Sequence, residues 1–347
     1  MTKYKAGVLG HYGGDRAFLD GQTIKTKSIT EQLRKELGAD QVLTADTYGG
    51  FRVLAQCLGA LLSMLVHCEN IIILPAQNGV KLFPGFLAFW NFFFRKQIHY
   101  VVIGGWLPTM VSKRPILRLI LKRIDFIYVE TSTMKRALAE NGLSNVVILP
   151  NFKDIPILTE DELVYPEGEP YRLCTFSRVM KEKGIEDAVE AVKAVNEKYG
   201  RIVYTLDIYG QVDAEQTKWF EDLKESFPDY VRYKGLVAYD KSVEVLKDYF
   251  ALLFPTRFYT EGIPGTIIDA YAAGVPVISA KWESFEDVVD DGVTGIGYEF
   301  GNCDELLHIL LQIAEIPAMI LEKKKNCVVR AKEFSPDSVM QDIFRRI

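Results

Sequence analysis

The chain has 347 residues, 48% of them hydrophobic and 25% charged, which is a globular balance with room for two domains of ordinary size and no low-complexity tract. Five cysteines (Cys57, Cys68, Cys174, Cys303, Cys327) without a C-x-x-C pair, and four scattered histidines, argue against a disulfide scaffold and a clustered metal centre. With no signal-peptide pattern at its start, the chain is expected in a reducing cytoplasm. The net charge of −5 is unevenly spread: between Asn70 and Ile124 there is no Asp or Glu, while eight Lys and Arg residues leave −13 for the rest. Such segregation points to an anionic surface or partner.

In chain order, Lys3 to Leu9 reads as a strand, followed by a loop whose glycines fall at the wrong interval for G-x-G-x-x-G. Asp20-Gly21-Gln22-Thr23-Ile24-Lys25-Thr26 opens an amphipathic helix to about Leu37, where a glycine at the helix start leaves room for phosphate or is an ordinary helix start. Strand-like and helical runs then alternate: Val42 to Thr44, Phe51 to Val66, Ile71 to Leu74, a helix within Phe83 to Arg95, Tyr100 to Ile103, Pro115 to Arg123, Phe126 to Val129, Met134 to Asn141 and Val146 to Leu149. This βαβα alternation predicts a parallel sheet covered by helices.

No apolar run reaches the roughly eighteen residues of a spanning helix. The segment Phe83 to Lys96 is nevertheless crowded with aromatics, and Lys113 to Arg123 alternates leucine and isoleucine with bases at helical spacing. Aromatics beside a basic amphipathic helix suit a bilayer interface; the alternative is that the aromatics are core and the bases a solvated face. Lys113, Arg114, Arg118 and Lys122, with Trp106, are the candidate acceptor or membrane face.

Asn151 to Pro170, with three prolines and an acidic cluster, reads as a linker, and the alternation restarts after it. Strands are expected at Leu173 to Phe176, Val203 to Tyr209 and Val231 to Lys234, with helices at Ile185 to Lys198, Glu215 to Glu225 and Ser242 to Tyr249. Ala251 to Phe254 is a buried strand, followed by a glycine-rich loop, a short helix and a second buried strand from Val275 to Ser279. Gly262, Pro264 and Gly265 keep that loop free of bulk, so helix-start amides can approach an anion. Glu261 and Asp269, with seven residues between them, are both expected at the crevice beyond the strand ends, as acceptors for sugar and ribose hydroxyls. Arg178 and Lys183, in the loop after Phe176, either form a solvated basic loop or are placed to stabilise a departing nucleoside diphosphate without a metal. Two such halves give domains at 1–155 and 156–335, with a closing helix at 336–347 expected to pack back on the first.

The order Arg178-x4-Lys183-Gly184, Lys234-Gly235-Leu236-Val237, Glu261-x7-Asp269, Gly274-Val275-Pro276-Val277 resembles the retaining glycosyltransferases of GT-B fold in family GT4, across about Tyr171 to Glu315. The first half matches through Asp20 to Thr26 and Asn145 to Asn151. The resemblance implies an α/β GT-B architecture, two Rossmann-like doubly wound parallel-sheet domains facing each other across a cleft. It also implies a metal-independent, retaining transfer from a nucleoside-diphosphate sugar, UDP-sugar favoured over GDP-sugar, with no resident cofactor. Arg178 and Lys183 would grip the diphosphate and Glu261 the transferred sugar. Asp269 would hold the ribose, the amides of Ile263, Gly265 and Thr266 phosphate or sugar, and Val237 and Ala238 would line the base pocket. Gly21 would close the cleft from the acceptor domain. Two departures stand out: Asp269 replaces the family's usual Glu, and Gly104-Gly105-Trp106 follows the strand where many relatives carry His, leaving Trp106 as a stacking surface for the acceptor.

The expected acceptor is a polyprenyl-diphosphate-linked glycan in bacterial capsule, exopolysaccharide or O-antigen assembly, reached by a peripheral protein on the inner face of the plasma membrane. Nucleic acid is not an expected partner. The alternatives are a soluble small-molecule transferase or GT-B epimerase, and a non-catalytic transferase-like subunit.

Overall fold

The computed structural model describes residues 3–14 and 21–347, which divide into two compact units: Met1–Asp154 with Pro336–Ile347, and Ile155–Ser335. In the first unit the elements run β1 (Tyr4–Gly10), α1 (Gly21–Leu37), β2 (Val42–Asp46), α2 (Leu54–His67), β3 (Cys68–Ile73), α3 (Phe83–Phe94), β4 (Gln97–Val101), α4 (Leu107–Ser112), α5 (Pro115–Leu121), β5 (Phe126–Val129), α6 (Ser132–Glu140) and β6 (Val146–Ile148). The strands form one sheet in the order β2-β1-β3-β4-β5-β6, every pairing parallel.

Its strands are near-continuous apolar runs because both faces are covered. One face carries a core built on Leu61, Leu65, Ile71, Leu87 and Ile127. The other carries Ile29, Leu33 and Ile72, and is completed from 336–347 by Val339, Met340 and Ile343. β4 begins three residues before the expected Tyr100 because His99 is accommodated inside it. That ring is fully buried, stacks on Phe126 and Tyr128, and bonds Tyr128 Oη at 3.0 Å and Asn70 Oδ1 at 3.3 Å.

The second unit comprises β7 (Tyr171–Phe176), α7 (Ile185–Tyr199), β8 (Tyr204–Tyr209), α8 (Thr217–Glu225), β9 (Val231–Gly235), α9 (Ser242–Leu246), β10 (Ala251–Phe254), α10 (Gly265–Ala272), β11 (Val277–Ala280), α11 (Phe285–Val288), β12 (Gly295–Tyr298), α12 (Cys303–Glu315), α13 (Ala318–Leu321) and α14 (Lys324–Ala331). Two further short helices, α15 (Pro336–Val339) and α16 (Gln341–Phe344), belong to the first unit, where a single closing helix was expected. α7 shows how the local sequence decides the element. Ile185, Ala188, Val189, Val192 and Val195 form its buried stripe, Glu186 and Asp187 complement the dipole of its first turn, and Gly200, at φ 62°, ends it.

The sheet order is β9-β8-β7-β10-β11-β12, again all parallel, with cores on both faces. Counted within the unit this is the Rossmann order 3-2-1-4-5-6, whose switch point lies between β7 and β10. The helix-covered parallel sheets expected from the alternation, and the doubly wound architecture implied by the resemblance, are therefore what is observed in each unit. The switch point of the second unit is where the loops bearing Lys183 and Glu261 begin.

Candidate active site

The loop after β7 is held from two sides. Val179 bridges Val212 beyond the end of β8, its N–H donating to the Gln211 carbonyl at 2.8 Å. Gly210, at φ 135°, lies so close that a Cβ would stand 1.8 Å from the Ser177 carbonyl oxygen. Gly184, at φ 66°, caps the other end, where a Cβ would stand 1.9 Å from the Pro255 carbonyl oxygen. Only glycine fits either position, in backbone conformation and in space. The loop is thereby pressed against the segment that follows β10.

That contact brings Lys183 onto Glu261. Their ammonium and carboxylate form an ion pair, with side chains only 17% and 15% exposed. The Thr256 hydroxyl donates to the same Glu261 oxygen at 3.3 Å, and itself accepts the Phe258 N–H at 3.1 Å. Lys183 Nζ also lies 5.6 Å from the Phe254 ring centroid and 5.1 Å from that of Phe258. A charge so far withdrawn from water is worth keeping only with a good partner. Arg178, by contrast, is exposed, its guanidinium 3.5 Å from Asp213 Oδ2 beside an open depression of about 440 Å³ that Gln211, Val212 and Glu215 also line. With Asp213 and Glu215 in its wall this depression suits an anion poorly, so Arg178 would have to turn from Asp213 to meet a phosphate.

Two residues that spacing does not single out join these loops. Arg257 forms a two-point ion pair with Asp187 on the first turn of α7, at 2.9 and 2.6 Å, while its N–H donates to the Glu182 carbonyl at 2.8 Å. Their separation of 70 positions leaves no local signal by which sequence would find them.

Gly262, Ile263 and Pro264 are buried, and Gly265 and Thr266 half-buried, where α10 starts. Thr266 Oγ1 is shut away from solvent and finds no hydrogen-bond partner among the described residues. Asp269, one turn on, is only 2% exposed and accepts the Ser242 hydroxyl at 2.8 Å. The spacing alone puts both carboxylates at an accessible crevice, but only Glu261 keeps a partly open side chain. Packing of α9 on α10 closes over Asp269. Val237 is half-buried against the core that α10 shares, and Ala238 is exposed.

In the first unit α1 begins at Gly21, around which a Cβ would meet nothing among the described residues within 4 Å, while Asp20 lies outside them. Lys25 of α1 and Glu130 at the end of β5 form a buried ion pair at 2.5 Å, another long-range contact invisible in the sequence. Trp106 is half-buried against the core, and its indole N–H donates to the Ile103 carbonyl at 2.7 Å, so that its polar edge is already taken. Lys113, Arg114 and Lys122 are exposed and Arg118 half-buried. Among the described residues no helix is long and apolar enough to cross a membrane, and no group of three His, Cys, Asp or Glu is placed to hold a metal ion.

Residues 170–315 match the family described as glycosyl transferases group 1. The match covers this segment, less than half of the chain, and the relatives below are likewise glycosyltransferases. The chain is 29% identical over 266 residues to the GtfA subunit of the UDP-N-acetylglucosamine–peptide N-acetylglucosaminyltransferase of Streptococcus gordonii, covering 75% of this chain and 46% of that one. It is 24% identical over 166 residues to the amylovoran biosynthesis glycosyltransferase AmsK of Erwinia amylovora, covering 45% and 40%. The chain thus spans less than half the length of each of these relatives. Among solved structures it resembles Anabaena HepE in complex with UDP-glucose, with a TM-score of 0.74 at 14% identity, covering 99% of this chain and 98% of that one. That likeness is one of fold.

Proposed function

We propose that this protein is a retaining, metal-independent glycosyltransferase of GT4 type, moving a sugar from a nucleoside-diphosphate donor, UDP-sugar before GDP-sugar, to a glycan acceptor. The observation that carries the reading is the Lys183–Glu261 pair at the β7/β10 switch point, with Arg178 on the same loop and the orphaned Thr266 hydroxyl at the start of α10. These are the groups a sugar diphosphate needs: cations for its phosphates, a carboxylate for sugar hydroxyls, and a buried hydroxyl in want of a partner. HepE, which shares the fold, has been captured with UDP-glucose.

In this reading the bond between the anomeric carbon and the β-phosphate oxygen breaks as the acceptor oxygen attacks from the same face. The acceptor's proton passes to the departing phosphate, and Arg178 and Lys183 hold the charge that develops there. Glu261 orients the sugar and Val237 and Ala238 line the base, whereas Asp269, closed over by α9 and bonded to Ser242, is not offered to the ribose. Trp106 stands beside the acceptor. The acceptor is a lipid-linked glycan of bacterial polysaccharide assembly, met by a peripheral protein at the inner face of the plasma membrane. The acid-free basic stretch 70–124 and the likeness to AmsK support this. The likeness to GtfA favours a second reading, in which the acceptor is a peptide.

Thermal shifts with UDP, GDP, ADP and CMP test the donor site, because a ligand that binds only the folded chain raises its Tm. UDP is expected to stabilise the wild type and to lose most of that shift with Arg178→Ala. No shift with any nucleotide would overturn the reading.

A further inference from the structure

We propose that the outward face of α3 and α5 inserts into the interface of an anionic bilayer, and that apolar burial, more than charge, holds it there. The inference deepens the membrane part of the reading above and rests on it only for the choice of a bilayer as occupant.

The face is made of large apolar side chains that the core does not use. Phe89, Phe92 and Phe93 on α3 are 64%, 75% and 66% exposed, and Ile116 and Leu119 on α5 are 74% and 64% exposed. They recur at i, i+3 and i+4 on α3 and at i and i+3 on α5, so each helix shows them on one side. The opposite sides are already buried, through Phe83, Pro84 and Leu87 on α3 and Leu117 and Leu121 on α5. The two helices touch where Gly85 meets Ile120, which joins the exposed sets into one patch. Within it the rings pack edge to face, Phe89 on Trp90 at 5.4 Å and Phe92 on Phe93 at 5.3 Å between centroids. A contiguous apolar patch of this kind on a soluble unit marks a surface that something covers.

Charge says what covers it. Both helices lie in the stretch that has eight bases and no acid. Arg95, Lys113, Arg114, Lys122 and Arg123 flank them, exposed. Among the described residues none of the last four forms an ion pair. Phenylalanines that enter the acyl boundary, with arginines and lysines reaching back to headgroups, make the pattern of a helix lying in the interface. α3, at twelve residues, is about 18 Å long and cannot span a bilayer. Bases alone give binding that salt removes, whereas inserted rings give binding that survives it.

Flotation of the full chain with phosphatidylcholine vesicles, with and without phosphatidylglycerol, at about 0.1 M and about 1 M salt, separates these cases. The wild type is expected to float with the anionic vesicles and to remain on them at the higher salt. Phe92→Ser with Ile116→Ser is expected to lose about tenfold or more of the partitioning at both salts, with the UDP-induced shift intact. Lys113→Glu with Lys122→Glu is expected to weaken binding at low salt only. Equal flotation of the serine variant, release of the wild type by salt, or no flotation at all would overturn the proposal. In the last case, self-association abolished by the serine substitutions would assign the patch to a second copy of this chain. Flotation as expected without any nucleotide shift would leave this inference standing and sink the donor-site reading.

Discussion

Gly21 and Gly184 each open the first long helix of their unit, and their surroundings differ completely. A side chain at Gly184 would collide with the Pro255 carbonyl at 1.9 Å, whereas one at Gly21 would meet nothing among the described residues within 4 Å. The second unit fixes its loop by jamming backbone against backbone, which brings Lys183 onto Glu261. In the first unit nothing among the described residues crowds the helix start. Glycine in the one place is demanded by geometry and in the other is permitted by it. The same residue type in two related sheets therefore carries two different kinds of information.

Substitution by alanine breaks the comparison most directly. Gly184→Ala is expected to cost about 3 kcal/mol or more, from a steric clash in a left-handed backbone conformation. Gly21→Ala should change stability by less than about 1 kcal/mol. Urea unfolding measures both, and similar values for the two would undo the contrast.

Acid and alkali sharpen it further. Burial, aided by nearby Arg346, pushes His99 of the first unit down to about 4, so the unfolded chain binds a proton there before the folded one does. Stability of that unit should fall as pH drops from about 6.5 towards 4, by roughly 3 kcal/mol, and His99→Phe should flatten the fall. In the second unit burial lowers Lys324 to about 8, its ammonium donating to the Tyr249 carbonyl at 3.2 Å. Between about 8 and 10.5 the unfolded chain holds the extra proton, so the second unit should gain stability as pH rises. Hydrogen exchange read separately on β4 and α14 distinguishes the two trends, and parallel behaviour of both units would contradict them.

The smallest expected effect concerns Arg257. With Arg257→Ala the loops at 181–184 and 256–262 should exchange amide protons several-fold faster while the global unfolding free energy changes by about 1 kcal/mol or less. Unchanged exchange would mean that the Gly184–Pro255 contact alone holds the loops together.

Much of this architecture was legible in the sequence because parallel strands buried on both faces are unbroken apolar runs. Phe126–Val129 and Ala251–Phe254 are read to the residue for that reason. α4 escaped, since six residues hold less than two turns of periodicity. His99 hid the start of β4, because a polar residue in a strand signals exposure unless its partners are known. In the site, Arg178, Lys183 and Glu261 stand out through charge type beside glycine. Asp187, Arg257 and Ser242 do not, since their contacts join positions 70 and 27 apart. Spacing places a side chain on an element, but only packing decides which elements close over it, as α9 does over Asp269.

The return of the chain to its first unit has a consequence for biosynthesis. Val339, Met340 and Ile343 complete the core face that Ile29, Leu33 and Ile72 begin. During vectorial synthesis the second unit has every strand and helix it needs once Ser335 is clear of the ribosome. The first, although made earlier, must wait with one apolar face uncovered until residues 336–347 emerge. The unit whose strands are made earlier is thus the one that completes its core later.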